Sequence, residues 1–413
     1  MIFSKYKKAK NFIILSFSQF IIKISSLLVV YHLARHLSVE FYGKYTFFNV
    51  IISYLILAIN FGYDIYFASK IDGKEIDTEK AISIQIKSRF IVSLLIFLIS
   101  LTLSLIIPFK NSALFLVLIF RLFSFSFDIS WLYKIKDDFV TLFKADFLSS
   151  FARVLGVYFF VKSDSQILVL AFIDILCDLL SKLIIMIRYA DKLIGIYKIG
   201  IYEILHTIKK SIPIALSYFM ITVYYNLDSL MLGIFKGSYT VAIYTAAYNF
   251  MLLAILPTGL LFQVYLSTLV KNKGSKIIYY RYVKRTVTLS LVVFTFLFLL
   301  ADKLILIIYG SKFTESIPVL KILSFNIFSC YLAGAFANPV NTWGYHKEYL
   351  YIVSGGALTN FIGNLIFIPI YGISAAAITT ILSEVVVFIL AFYWSVRFFK
   401  KHKEIYNANY ERL

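Results

Sequence analysis

The feature that most constrains this chain is a succession of apolar runs, each about 17–25 residues long, separated by short connections rich in Lys and Arg. A helix of that length covers the roughly 30 Å hydrocarbon core of a bilayer. Such a backbone bonds to itself, so nothing polar on the main chain is left to lipid. The alternating pattern of an outer-membrane barrel is absent from the sequence. Hydrophobic residues make up 60% of the 413, against roughly 45–50% in soluble domains, so the excess is lipid-facing surface. The expected fold class is therefore an all-α integral membrane protein.

Twelve transmembrane helices are expected. The first six lie at about 12–33, 45–63, 89–107, 112–132, 145–161 and 166–187. The second six lie at about 212–234, 241–266, 286–308, 318–340, 349–370 and 373–396. With both termini placed in the cytoplasm, and basic residues at span ends counted with the adjoining connection, internal connections carry 29 Lys and Arg and external ones 7. Lys23, Arg121, Arg153, Lys182 and Lys321 remain within spans. The asymmetry follows the positive-inside rule. It also accounts for the net charge of +19 without nucleic acid, leaving membrane lipid as the partner of the basic loops.

The pattern divides into an N-terminal six-helix lobe (1–190), a basic and apolar linker (191–211) with the look of an interfacial amphipathic helix, and a C-terminal six-helix lobe (212–413) with a basic tail. The halves share a trace of repeat: FYGKYTFFNV (41–50) aligns with TVAIYTAAYN (240–249), matching Tyr45-Thr46 to Tyr244-Thr245. Two six-helix blocks of one orientation predict pseudo-twofold symmetry about the membrane normal, with a central cavity between the lobes.

Phosphate-binding and dinucleotide glycine motifs are missing, as are HExxH and paired CxxC sequences. The five histidines show no metal-ligand spacing, and Cys177 and Cys330 lie in apolar runs without a disulfide role. No metal, cofactor or enzymatic chemistry is expected. The informative residues are polar ones inside the spans, where charge is costly and tends to face the bundle interior. Ser16, Gln19, Lys23 and Ser26 share one face of the first span; Arg121, Ser124 and Asp128 share one of the fourth. Asp146, Ser149 and Arg153 line up in the fifth, and Asp174, Asp178 and Lys182 recur every four residues in the sixth. Helical spacing suggests an Asp178–Lys182 pair within one helix and an Arg121–Asp128 pair, with Lys321 reaching for water near its span end. In the second half, Asn226 and Asp228 fall in VYYNLDSLMLG (223–233), and Glu384 lies in mid-span. Pro257 and Pro339 mark candidate hinges within spans.

Several segments resemble the polysaccharide repeat-unit flippases of the multidrug/oligosaccharidyl-lipid/polysaccharide superfamily. These are PIALSYFMITVYYNLDSLMLGIF (213–235), YGSKFTESIPVLKILSF (309–325), TNFIGNLIFIPIYGISAAAITTILSE (359–384) and LARHLSVEFYGKYTFFNVI (33–51). The resemblance implies a MATE-like fold of two lobes. It also implies passage of an undecaprenyl-diphosphate-linked oligosaccharide, such as an O-antigen unit, from the inner to the outer leaflet of a bacterial cytoplasmic membrane. A polysaccharide polymerase and a chain-length regulator would be partners. On this reading Lys23, Arg121, Arg153 and Gln19 contact the diphosphate or glycan. Asp228, Asn226, Asp174, Asp178 and Glu384 serve ion coupling or structure. The alternatives are a cation-coupled multidrug exporter of the same superfamily and a polytopic enzyme such as an O-antigen polymerase. The intramembrane basic residues argue against the first, and the short external loops against the second.

Overall fold

The computed structural model describes residues 2–72, 76–106, 112–189, 199–273 and 275–410. Its helices are α1 (Ile2–His36), α2 (Val39–Asn60), α3 (Tyr63–Asp72), α4 (Thr78–Ile106), α5 (Ser112–Ile119), α6 (Arg121–Ser126), α7 (Ser130–Ile135), α8 (Phe139–Phe160), α9 (Ile167–Met186) and α10 (Ile201–Lys236). They continue as α11 (Ser238–Lys271), α12 (Lys276–Ile308), α13 (Ser316–Thr342), α14 (His346–Tyr371) and α15 (Ile373–Tyr410). The protein is an all-helical, multi-pass membrane protein. Eight helices or helical groups among the described residues are long and apolar enough to cross a membrane. They are α2 with α3, α4, α5 through α7, and each of α11 to α15. The expected spans at 145–161 and 166–187 form α8 and α9, which hold three charged residues each and so fall outside that set. Those at 12–33 and 212–234 run through side chains outside the described residues.

Two expected spans are not single helices. The one at 112–132 breaks at Phe120 and again at 127–129, where the Phe123 and Phe127 amides donate to the carbonyls of Phe120 and Ser124. These i to i−3 bonds tighten the chain and shift the face that follows. The second span turns at Phe61 and Gly62, with φ of 52° and 68°. Gly62 packs against α10: a Cβ there would lie 2.8 Å from the Ala215 amide nitrogen. Only glycine meets both the left-handed backbone and that approach.

The chain forms two compact units, Met1–Asn226 and Leu227–Leu413, and the boundary falls inside α10. In the first unit α1 packs on α8, α8 on α9, and α9 on α5 and α6. A core of Tyr63, Phe67, Ile82, Trp131, Tyr133 and Ile204 closes one end. Trp131 Nε1 donates to Gln85 Oε1 at 2.6 Å, and Gln85 Nε2 to the Asp128 carbonyl at 2.5 Å, whereas the buried Tyr63 hydroxyl has no partner among the described residues. In the second unit α13 packs against α11, α12, α14 and α15. Gly356 lets α14 approach α15 so closely that a Cβ would lie 2.3 Å from Val387 Cγ2. Small residues at helix crossings serve this purpose where lipid offers no hydrophobic drive. Large apolar side chains such as Leu105, Val264 and Ile277, each about three-quarters exposed, form the outward surface.

Pro257 lies inside α11 and Pro339 inside α13. The Tyr331 hydroxyl of α13 donates at 2.6 Å to the Ala254 carbonyl, in the turn that Pro257 interrupts. Pro257 has no N–H for the Leu253 carbonyl, and the Tyr331 bond holds the adjoining carbonyl of the same turn.

Candidate functional site

The polar residues of the first unit converge on α9. Asp174, Asp178 and Lys182 lie on one face because they are spaced by four. Each meets a partner from another element. Arg153 of α8 donates from Nε to Asp174 Oδ1 at 2.7 Å and from Nη2 to the Tyr45 hydroxyl at 2.9 Å, while Tyr45 donates to Asp174. Arg121 of α6 donates from Nε to Asp178 Oδ2 at 2.7 Å and from Nη1 to Asn49 of α2. Lys182 meets Asp128 Oδ2 at 2.7 Å. The expected Asp178–Lys182 and Arg121–Asp128 pairs are thus replaced by cross-helix pairs. The break before α6 turns Arg121 toward α9, and a bond between helices adds packing that a pair along one helix does not.

Arg121, Arg153, Asp174 and Asp178 line one cavity of about 160 Å³ with Ser26, Ser149 and Cys177. Arg121 Nη2 and Arg153 Nη1 have no hydrogen-bond partner among the described residues. A guanidinium has five N–H donors in a planar fork suited to phosphate. Asp174 is buried, but the Arg153 side chain is 31% exposed and that of Arg121 21%. The pairs therefore hold the guanidinium planes while leaving donors toward the cavity. Lys23 is exposed on α1 and is not a lining residue; the Gln19 side chain lies outside the described residues. Asp146 accepts from Ser18 of α1 at 3.1 Å. Lys321 meets Asp302 at 3.0 Å instead of standing alone in water.

In the second unit Asp228 of α10 is 3% exposed and accepts four hydrogen bonds. Oδ1 receives Asn364 at 2.5 Å and Asn360 at 3.2 Å, both from α14. Oδ2 receives Thr380 of α15 at 2.7 Å and the hydroxyl of Tyr244 of α11. Thr379 donates in turn to the Asn364 oxygen. Glu384 is buried one turn beyond Thr380, and Asn226 is half-buried before Asp228. The two units handle carboxylates differently. Asp174 and Asp178 have arginines, whereas Asp228 has four neutral donors and, among the described residues, no cationic side chain in bonding contact. An ionised carboxylate in a low-dielectric interior is incompletely compensated by neutral donors. A buried carboxylate held by neutral donors alone can take up a proton.

Tyr45, Asn49, Tyr244, Asn360, Asn364 and Thr380 were not among the expected site residues. The i, i+4 spacing of Asn360 and Asn364 within an apolar run is the signal that points to them. Tyr45 and Tyr244 are the tyrosines of the internal repeat, and each donates to a buried carboxylate of its own unit.

The architecture is that of a polytopic, all-helical membrane protein with buried polar clusters, and solved structures share the fold. An inward-facing multidrug resistance MATE family transporter of the MOP superfamily superposes with a TM-score of 0.71 at 17% identity, covering 95% of this chain and 99% of that one. Lipid II flippase MurJ, in an inward closed conformation, gives 0.72 at 15% identity over 94% and 89%. A MOP superfamily transporter from Pyrococcus furiosus gives 0.55 at 16% over 92% and 96%. No curated protein matches the sequence directly. Residues 9–266 match the family described as polysaccharide biosynthesis protein, and the chain belongs to that family.

Proposed function

We propose that this protein moves a polyprenyl-diphosphate-linked oligosaccharide, such as an O-antigen repeat unit, from the inner to the outer leaflet of a bacterial cytoplasmic membrane, with both termini in the cytoplasm. The reading rests chiefly on the Arg121–Arg153 cavity in a chain of the polysaccharide family. A diphosphate and a glycan cannot cross hydrocarbon unaided, because their polar groups would lose water without replacement. The guanidinium donors left toward the cavity replace that water for the diphosphate. A volume of about 160 Å³ is below the 300–1,000 Å³ of typical ligand pockets, so this cavity takes the anionic group and not the whole glycan. Asp228 takes up a proton or cation and resets the carrier. At about 100 mV, inside negative, each exported negative charge gains roughly 2.3 kcal/mol, which favours outward movement. Pro257 and Pro339 serve as the bends of the cycle.

The likeness to MATE transporters favours cation-coupled drug export as the second reading. Proteoliposomes separate the two. They are loaded with a fluorescent polyprenyl-diphosphate oligosaccharide, and its exposure to an external glycosidase is followed; efflux of a lipophilic cationic dye is measured alongside. Translocation that is lost in Arg121→Ala and Arg153→Ala supports the proposal. Dye efflux without lipid translocation overturns it.

A further inference from the structure

A second cavity, whose lining does not include Asp228, lies in a groove between α11 and α12. It measures about 580 Å³ and is lined by Leu261 of α11 and by Arg281, Lys284, Arg285, Thr288, Leu289 and Val292 of α12. The α12 residues fall at i, i+3, i+4, i+7, i+8 and i+11, one continuous helical face. The groove is polar at one end and apolar at the other.

The groove has no carboxylate among its lining residues. Between Asp228 and Asp302 the sequence has no Asp or Glu, and Asp302 is engaged with Lys321. Among the described residues the side chains of Arg281, Lys284 and Arg285 have no ion pair, and all three are exposed. Arg285 lies over the Tyr265 ring at 5.5 Å, which fixes its plane beside the groove. Three convergent cations without a carboxylate call for an anion from outside the chain.

Depth identifies its source. The 33 residues of α12 extend about 50 Å at 1.5 Å per residue, some 20 Å more than the roughly 30 Å hydrocarbon core. Sharing the excess between the ends puts the boundary about 10 Å from Lys276, within the 281–285 segment. The basic triad thus sits at headgroup level. Leu289 and Val292 continue about 6–11 Å beyond Arg285, alongside an acyl chain. By the positive-inside rule this is the cytoplasmic leaflet.

We infer that this groove is a binding site for an anionic phospholipid of the inner leaflet, with the headgroup phosphate held by Arg281, Lys284 and Arg285 and an acyl chain laid along Leu261, Leu289 and Val292. The site is separate from Asp228 and does not depend on the flippase reading.

The full-length protein is placed in nanodiscs of phosphatidylcholine with a minor share of phosphatidylglycerol, and retained lipid is read by native mass spectrometry. The wild type retains phosphatidylglycerol above its bulk share. The triple variant Arg281→Gln/Lys284→Gln/Arg285→Gln loses about tenfold or more of that retention, as expected where each basic residue contributes separately. The charge-matched control Lys271→Gln/Lys276→Gln/Lys347→Gln keeps it. Equal loss in the control would mean general leaflet attraction and overturns the site. Equally strong binding of inorganic phosphate in lipid-free detergent would assign the groove to a soluble anion and overturns the lipid. Should the triple variant unfold in a thermal melt, Val292→Trp fills the apolar end and leaves every charge: lower retention supports the proposal, unchanged retention overturns it.

Discussion

Asp228 offers the sharpest separation of charge from structure. Asp228→Ala removes the acceptor of four buried donors. Two have a second acceptor: Thr380 also donates to the Ala376 carbonyl at 2.9 Å, and Asn364 to Asn360 Oδ1 at 3.1 Å. The amide of Asn360 and the hydroxyl of Tyr244 are left without a good alternative, since the Tyr244–Thr380 contact is 3.4 Å. At about 1–3 kcal/mol for each orphaned buried donor, the alanine variant loses roughly 2–6 kcal/mol. Asp228→Asn keeps the shape and one acceptor oxygen. Its amide nitrogen can turn to Tyr244 and Thr380, whose hydroxyls rotate to accept, so the cost is about 1 kcal/mol. Membrane protein level and thermal unfolding in detergent should therefore follow wild type, then Asn close behind, then Ala. Transport in proteoliposomes should fall in the Asn variant to about a tenth or less, the effect of losing roughly 1.4 kcal/mol of coupling. An Asn variant as unstable as the Ala variant refutes the hydrogen-bond accounting. One that transports at the wild-type rate across external pH refutes the ionic role and leaves Asp228 as a packing residue.

Arg153→Ala leaves Asp174 buried beside Tyr45 without its guanidinium, at a cost of about 3–5 kcal/mol. The double variant Arg153→Met/Asp174→Leu should recover thermal stability in a melt but not transport. Arg121→Lys keeps a charge for Asp178 but loses the fork that also reaches Asn49, so translocation should drop while expression holds. Gly356→Ala drives a methyl into the stiff Val387 side chain of α15 and should cost about 1–3 kcal/mol, read as a lower unfolding temperature. Val387→Ala in the same chain should restore it.

The sequence by itself determined the class. Apolar runs of membrane length, with basic connections, admit helices and nothing else among lipids, and motif order pointed to the superfamily whose fold the structure shares. It also located the charged residues of the candidate site, because burying charge in an apolar run is too costly to be accidental. Tertiary structure decided which charges meet. Asp178 could have bonded Lys182 on its own helix, yet it takes Arg121, because the chain break at Phe120 re-aims a residue that helical spacing places elsewhere. Nor could local pattern reveal that Asp228 gathers Asn360, Asn364 and Thr380 from more than 130 positions away. Periodicity reports the face on which a residue stands. The partner facing it depends on how helices distant in sequence cross, and that is set by small residues such as Gly356 and by breaks such as Gly62, whose effect exists only in three dimensions.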